Sequence, residues 1–210
     1  MFLYIVRHGQ SERNRDRSGP FDCPLTGVGE EQARRAAEWL ADKGIETIYC
    51  SPSIRTLQTA TAIGKRLGLR PKAWGDLVEW GFLFDSPGLT GKEMRTRFPD
   101  IEIDDSFRDD VPWIAHKDDE SWTELKERAR SVLETILERH PTGSSPVALV
   151  THAHFARFLI GEAIGFSEVE GLGGVIEHYN CGITAIEFRP DRTILWYLNA
   201  HGHLGDLITH

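Results

Sequence analysis

Residues 1–14 read MFLYIVRHGQSERN, and this stretch decides the fold. FLYIV is a short, continuously apolar run of the kind that forms a buried strand. It leads straight into Arg7, His8 and Gly9. A basic pair at the end of a buried strand is costly unless something uses it. Two further stretches have the same shape. IETIYC (45–50) leads into Ser51, and PVALVTH (146–152) places Thr151 and His152 at the end of an apolar run.

Helical patterns separate these strands. Thr26 is the expected N-cap of a helix through GEEQARRAAEWLADKG, with Ala33, Ala36, Ala37 and Leu40 on one face and Gly44 as its end. SPSIRTLQTATAIGKRLG (51–68) predicts a second helix, capped by Ser53, with Leu57, Ala60, Ile63 and Leu67 inward and Gly68 as stop. SWTE (121–124) is a capping box opening a long helix whose stripe is Trp122, Leu125, Ala129, Val132, Ile136 and Leu137. HFARFLIGEAIG (154–165) is a further helix, and CGITAIEF-RPDR-TILWYL (181–198) predicts two strands joined by a turn. Strands alternating with helices imply an α/β fold, a three-layer α/β/α sandwich with a mostly parallel central sheet. In such sheets ligands sit beyond the carboxyl ends of the strands, where Arg7-His8, Ser51 and Thr151-His152 all fall.

The 210 residues are 40% hydrophobic and 27% charged, an ordinary globular composition. One domain over 1–210 is expected, with an irregular lid or insert at about 80–120, rich in Trp, Phe, Asp and Pro. No run is long enough for a transmembrane helix, and no basic segment precedes the first apolar run, so neither a membrane partner nor a secretory signal is expected. Cys23, Cys50 and Cys181 are sparse and contain no CxxC, which suits a reducing, cytoplasmic location. The net charge of −8 disfavours nucleic acid as partner.

The motifs together carry a resemblance. Arg7-His8-Gly9 with Asn14, then Asp22-Cys23-Pro24-Leu25-Thr26, Gly29 and Gln32-Ala33, resemble the N-terminal motif of the histidine phosphatase superfamily, which includes the phosphoglycerate-mutase-like enzymes. Ser51-Pro52-Ser53-Ile54-Arg55-Thr56 through Ala60 is similar to its second motif, Leu77-Val78-Glu79 to the segment carrying its acid, and Val150-Thr151-His152 to the strand carrying its second His. RHG alone is a weak signal; four motifs in register over about residues 3–165 are a strong one.

The resemblance implies that His8 attacks phosphorus as a neutral imidazole and becomes a phosphohistidine. Arg7 and Arg55 would hold the phosphoryl oxygens through parallel guanidinium donors. Asn14 and His152 would add donors, with position 153 in the same phosphate-binding set. Glu79 would protonate the leaving alkoxide and then deprotonate water. Acidity alone does not single out Glu79, because Asp76 and Asp85 lie nearby. Ala153 stands where the family usually has Gly, which is harmless if the residue opens a helix and costly if it needs a positive φ.

No metal and no cofactor are required by this chemistry. The HxH of His201 and His203 has no partnering ligand cluster at metal-site spacing, and His154 and Arg157 are expected to pack. A mutase of this family carries a Tyr three residues after the acid and a later Arg-Arg pair. Phe82 stands at that position here, and 81–120 has no Arg-Arg but Asp104, Asp105, Asp109, Asp110, Asp118, Asp119 and Glu120. That favours a metal-independent phosphatase of a small phosphorylated substrate. A phosphoglycerate mutase and a non-catalytic phosphate-binding protein are the alternatives. Trp80, Phe82, Phe84, Trp113 and Trp122 are expected to pack core and lid. Whether part of this cluster forms a homodimer contact stays open, as does the identity of the phosphomonoester.

Overall fold

The computed structural model describes residues 1–17, 19–83, 85–113, 120–166 and 176–210. Of the residues singled out above, Phe84, Asp118 and Asp119 lie outside these, as does the side chain of Phe82.

The opening run is β1 (Phe2–Arg7), followed by α1 (Glu12–Asp16), α2 (Gly27–Leu40), β2 (Thr47–Cys50), α3 (Ile54–Leu67) and β3 (Lys72–Ala73). Next come α4 (Gly91–Arg97), α5 (Trp122–Arg139), β4 (Val147–Thr151), α6 (Ala153–Ala163), β5 (Ile183–Phe188) and β6 (Thr193–Ala200). The sheet order is β3-β2-β4-β1-β5-β6. β3, β2, β4 and β1 run parallel, while β5 and β6 return antiparallel as the expected C-terminal pair.

Alternation along buried strands sorts side chains onto two faces. Tyr4, Val6, Ile48, Cys50, Ala148 and Val150 pack against α2 and α3 through Ala33, Ala36, Leu40, Leu57, Ala60 and Ile63. Leu3, Ile5, Tyr49, Val147 and Leu149 pack against α5 and α6 through Leu125, Ala129, Val132, Phe155 and Leu159. The three-layer α/β/α reading therefore holds.

Two expectations change. Ser53 stands at the N-cap of α3, but its hydroxyl caps nothing and is buried without a partner among the described residues. Asp22 Oδ1 instead takes the Ile54 N–H at 2.7 Å, a cap supplied from another segment. The stretch 80–120 is also less irregular than expected. Thr90 and Glu93 form a capping box at the start of α4, and Met94, Phe98, Ile101, Ile103, Phe107 and Trp113 are buried in the core on the α2/α3 side. The sequence LTGKE carried this signal.

The loop after β1 is fixed by backbone contact. His8 N–H donates to the Thr151 carbonyl at 3.0 Å, and Ser51 N–H to that of Val150 at 3.0 Å, so the three strand ends are joined. Gly9 N–H donates to Thr59 Oγ1 (3.1 Å), and Gln10 N–H to Gln32 Oε1 (2.7 Å). Gly9 and Gly29 pack backbone to backbone. A Cβ on Gly29 would stand 2.1 Å from the Gln10 carbonyl oxygen, and one on Gly9 would stand 2.4 Å from that of Gly29. Both glycines are required by this approach of α2 to the loop. Gly29→Ala should therefore destabilise the fold by about 1–3 kcal/mol, as overpacking does, seen as a lower urea midpoint at unchanged m-value. An unchanged midpoint would mean that the two backbones separate freely.

Candidate active site

Beyond the ends of β1, β2 and β4 the structure gathers Arg7, His8, Ser51, Arg55 and His152, all buried. The protonation states follow from their partners, because an arginine can only donate and a carbonyl can only accept. His8 Nδ1 lies 2.7 Å from the Gly9 carbonyl oxygen, so it carries the proton. His8 Nε2 accepts from Arg55 Nε at 3.1 Å, so it carries the lone pair. His152 Nδ1 accepts from Arg55 Nη2 (3.1 Å), which leaves its proton on Nε2, directed at Ser51 Oγ (2.9 Å). Both imidazoles are therefore neutral. Burial first, then Arg55, holds each well below the ordinary histidine value, with Arg7 adding to both. Their rings meet edge to face, with centroids 5.2 Å apart.

Arg55 is the hub of this cluster. Its third donor, Nη1, goes to the Phe21 carbonyl, and its guanidinium lies over the Phe21 ring at 4.2 Å. Arg7 Nη1 donates to the His178 carbonyl, while Arg7 Nε has no partner among the described residues. Burial lowers Arg7 to about 10, which still leaves it charged at neutral pH. Asn14 lies alongside. Its Oδ1 accepts from the Ser11 N–H and hydroxyl and from Asn180 Nδ2, which among the described residues leaves the amide nitrogen as its uncommitted end. Ala153 is the first residue of α6 and has no positive φ, so alanine in place of the usual glycine is not strained there.

Glu79 sits at the N-terminus of α6. Its Oε1 accepts from Trp80 N–H (3.0 Å) and Phe155 N–H (3.1 Å), and its Oε2 faces the His154 N–H and Nδ1, each at 3.3 Å. A carboxylate at a helix N-terminus is favourable. Burial alone would raise the Glu79 carboxyl, but the His154 hydrogen bond and charge and the two other N–H groups outweigh it and take it down to about 2. Asp76 and Asp85, the other candidates for the acid, are committed elsewhere. Asp76 accepts from Trp74 Nε1, and Asp85 accepts from Phe21 N–H and pairs with Arg13. His154 thus packs on the acid, and its ring lies near those of Trp80 and Trp122. His201 and His203 turn to the carbonyls of Asn199 and Cys181.

Sequence reasoning missed the strut behind Glu79. Arg128 is buried and pairs through two bonds with Glu120, both at 2.8 Å. It also donates to the carbonyls of Asp76 (2.9 Å), Val78 (2.8 Å) and Glu79 (3.1 Å). Glu120 Oε2 accepts from Gly81 N–H, and Trp80 Nε1 donates to the Glu120 carbonyl. Glu120, counted above with the acidic loop, is therefore an internal group and not part of an exposed acidic surface. The available signal was a charge on the apolar face of α5, three residues after Leu125.

The chain belongs to the histidine phosphatase superfamily, branch 1, whose family profile matches residues 3–201. It is 35% identical over 169 residues to a probable phosphoglycerate mutase GpmB of Yersinia enterocolitica, covering 78% of this chain and 74% of that one. It is 31% identical over 170 residues, with the same coverage, to a glucosyl-3-phosphoglycerate phosphatase of Mycolicibacterium vanbaalenii. A mycobacterial glucosyl-3-phosphoglycerate phosphatase solved with VO3 superposes with a TM-score of 0.69 at 26% identity, covering 95% of this chain and 99% of that one. YhfR of Bacillus stearothermophilus shares the fold, with a TM-score of 0.72 at 24% identity over 97% of this chain and 98% of that one.

Two outcomes are expected. Arg128→Ala should cost about 3–5 kcal/mol, because it leaves Glu120 buried and unpaired. Glu120→Gln/Arg128→Met should recover much of that loss in chemical denaturation. His178 is buried, and burial, then Arg7 and Arg157, lowers it to about 4. The unfolded chain therefore binds this proton below pH 6.5 while the folded chain does not, so stability falls as pH drops from 6.5 towards 4. The loss is about 3 kcal/mol from this one group, and His178→Gln should flatten the pH dependence of the melting temperature in that window.

Proposed function

We propose that this chain is a metal-independent phosphomonoester hydrolase that works through a phosphohistidine on His8. The observation that carries the reading is the tautomer of His8. Its proton is tied to a backbone carbonyl, and its lone pair lies at Nε2 beside the Arg55 guanidinium. An arriving phosphoryl group takes the Arg55 Nε–H as acceptor, which frees the lone pair for in-line attack. Arg7 Nε, the Asn14 amide nitrogen and the Ala153 N–H supply further donors, and Arg7 Nε has no rival acceptor among the described residues. Two buried arginines provide the positive charge that a phosphate dianion needs. Such preorganised donors are commonly the largest catalytic term.

His8 Nε2 bonds to phosphorus as the P–O bond to the leaving group breaks, and the departing oxygen takes a proton by way of Glu79. Water then attacks phosphorus while Glu79 accepts its proton, and the electron pair of the P–N bond returns to Nε2. His152 turns from Ser51 to the phosphoryl oxygens as their charge builds. The relatives support a small phosphorylated substrate, since they are named as phosphatases or probable mutases of phosphoglycerate-type compounds. Phe82 and the lack of an Arg-Arg pair in 81–120 favour the hydrolase.

The test is hydrolysis of an aryl phosphate in EDTA by the wild type, His8→Ala and Glu79→Gln. Turnover should vanish with His8→Ala, and Glu79→Gln should slow it about 10²–10⁴-fold while accumulating acid-labile phosphate on the protein. A wild type that turns over phosphoglycerate isomers but hydrolyses no ester would replace this reading with the mutase.

A further inference from the structure

The resting geometry leaves one step without a proton. Glu79 has to donate to the leaving oxygen, yet its carboxyl is surrounded by donors. Three of its four contacts are backbone N–H groups, from Trp80, His154 and Phe155, and none of these can change charge. The fourth is the ring Nδ1 of His154, 3.3 Å from Oε2. It is the one contact of the four that can take up or release a proton.

We propose that His154 is the proton partner of Glu79: the two hold one exchangeable proton between Nδ1 and Oε2, and His154 acts on the reaction through Glu79 without touching the substrate. This rests on the hydrolase reading above. The cycle starts from His154 as imidazolium, with its Nδ1–H on the ionised Glu79 carboxylate and its second proton staying on Nε2 throughout. When phosphate dianion enters, its charge opposes the Glu79 charge. The proton crosses to Oε2 and passes on to the leaving oxygen as the P–O bond breaks, leaving a neutral imidazole and a carboxylate. In the second half-reaction, Oε2 takes a proton from the attacking water and returns it to Nδ1. The hydroxyl bonds to phosphorus, and the P–N electron pair goes back to His8. Each turnover consumes one water, and the pair ends as it began.

The surroundings suit this role. Among the described residues, the other charged groups facing Glu79 are Arg7 from β1 and Arg55 from α3, with Arg128 from α5 on its carbonyl. All are arginines, which do not exchange protons at neutral pH. His154 is partly exposed, with 31% of its side chain accessible, so the pair can equilibrate with solvent. Its ring packs near Trp80 and Trp122, at 5.8 and 6.1 Å between centroids, which keeps it on Glu79.

The test is His154→Gln, followed through kcat/KM across a series of phosphate esters and across pH. An ester with a good leaving group, such as dinitrophenyl phosphate, needs no proton and should be unaffected. An alkyl phosphate should lose about tenfold or more, part of the 10²–10⁴ typical of general acid catalysis. The alkaline limb of the pH profile for the alkyl ester should move to lower pH. In the Glu79→Gln background, the same substitution should cost nothing further in single-turnover phosphorylation. An equal loss for every leaving group, an unmoved alkaline limb or an additive loss in the double variant would overturn the pairing while leaving the hydrolase reading intact. A wild type that forms no phosphoenzyme would overturn both.

Discussion

Two guanidinium groups taken out of water beside two imidazoles set the terms for the whole site. Arg7 and Arg55 are buried, and Glu79 is the carboxylate that acts on both. Uncompensated positive charge in a dry cavity is unfavourable. The neighbouring histidines therefore stay neutral, while His154 and the backbone N–H groups of Trp80 and Phe155 keep the carboxylate ionised. A neutral imidazole is nucleophilic, and buried guanidinium groups offer an anion paired donors. The structure tolerates the buried Arg55 charge because each of its three guanidinium nitrogens has an acceptor: two ring nitrogens and one carbonyl.

Those same bonds satisfy the two imidazoles, while Arg7 Nε has no partner among the described residues. Arg55 occupies the lone pair of His8 and that of His152, and Ser51 takes the remaining His152 proton. In the proposed reaction a phosphoryl group replaces the imidazole acceptors of Arg55 and gives Arg7 Nε a partner. The strut of Arg128 and Glu120 keeps the loop bearing Glu79 in register with the end of β4, where Thr151 Oγ1 also donates to the Leu77 carbonyl at 2.6 Å.

Much of this was legible from the chain. The strands ending in Arg7-His8, Ser51 and Thr151-His152 predicted the sheet edge, and the caps at Thr26 and Ser121 held because capping is local. The missed features involve partners distant in sequence. Asp22 caps α3 across 32 positions, and Asn180 reaches Asn14 across 166. The helix α4 is a different case, because its capping box is as local as those at Thr26 and Ser121 but lies among Trp, Asp and Pro residues that mask it.

The sequence by itself determined the layered α/β order and the residue types at the strand ends, because apolar periodicity and local capping are properties of neighbouring residues. Tertiary structure alone decided which carboxylate faces the site, since Asp76, Glu79 and Asp85 are chemically alike and differ only in what surrounds them. It also decided the tautomers of His8 and His152, which follow from the acceptors and donors that folding brings within about 3 Å. Glu120 is the clearest case. In the chain it is one more acid in an acidic stretch, and in the fold it is the buried counter-charge of Arg128, because packing removed both from water and left each as the other's partner.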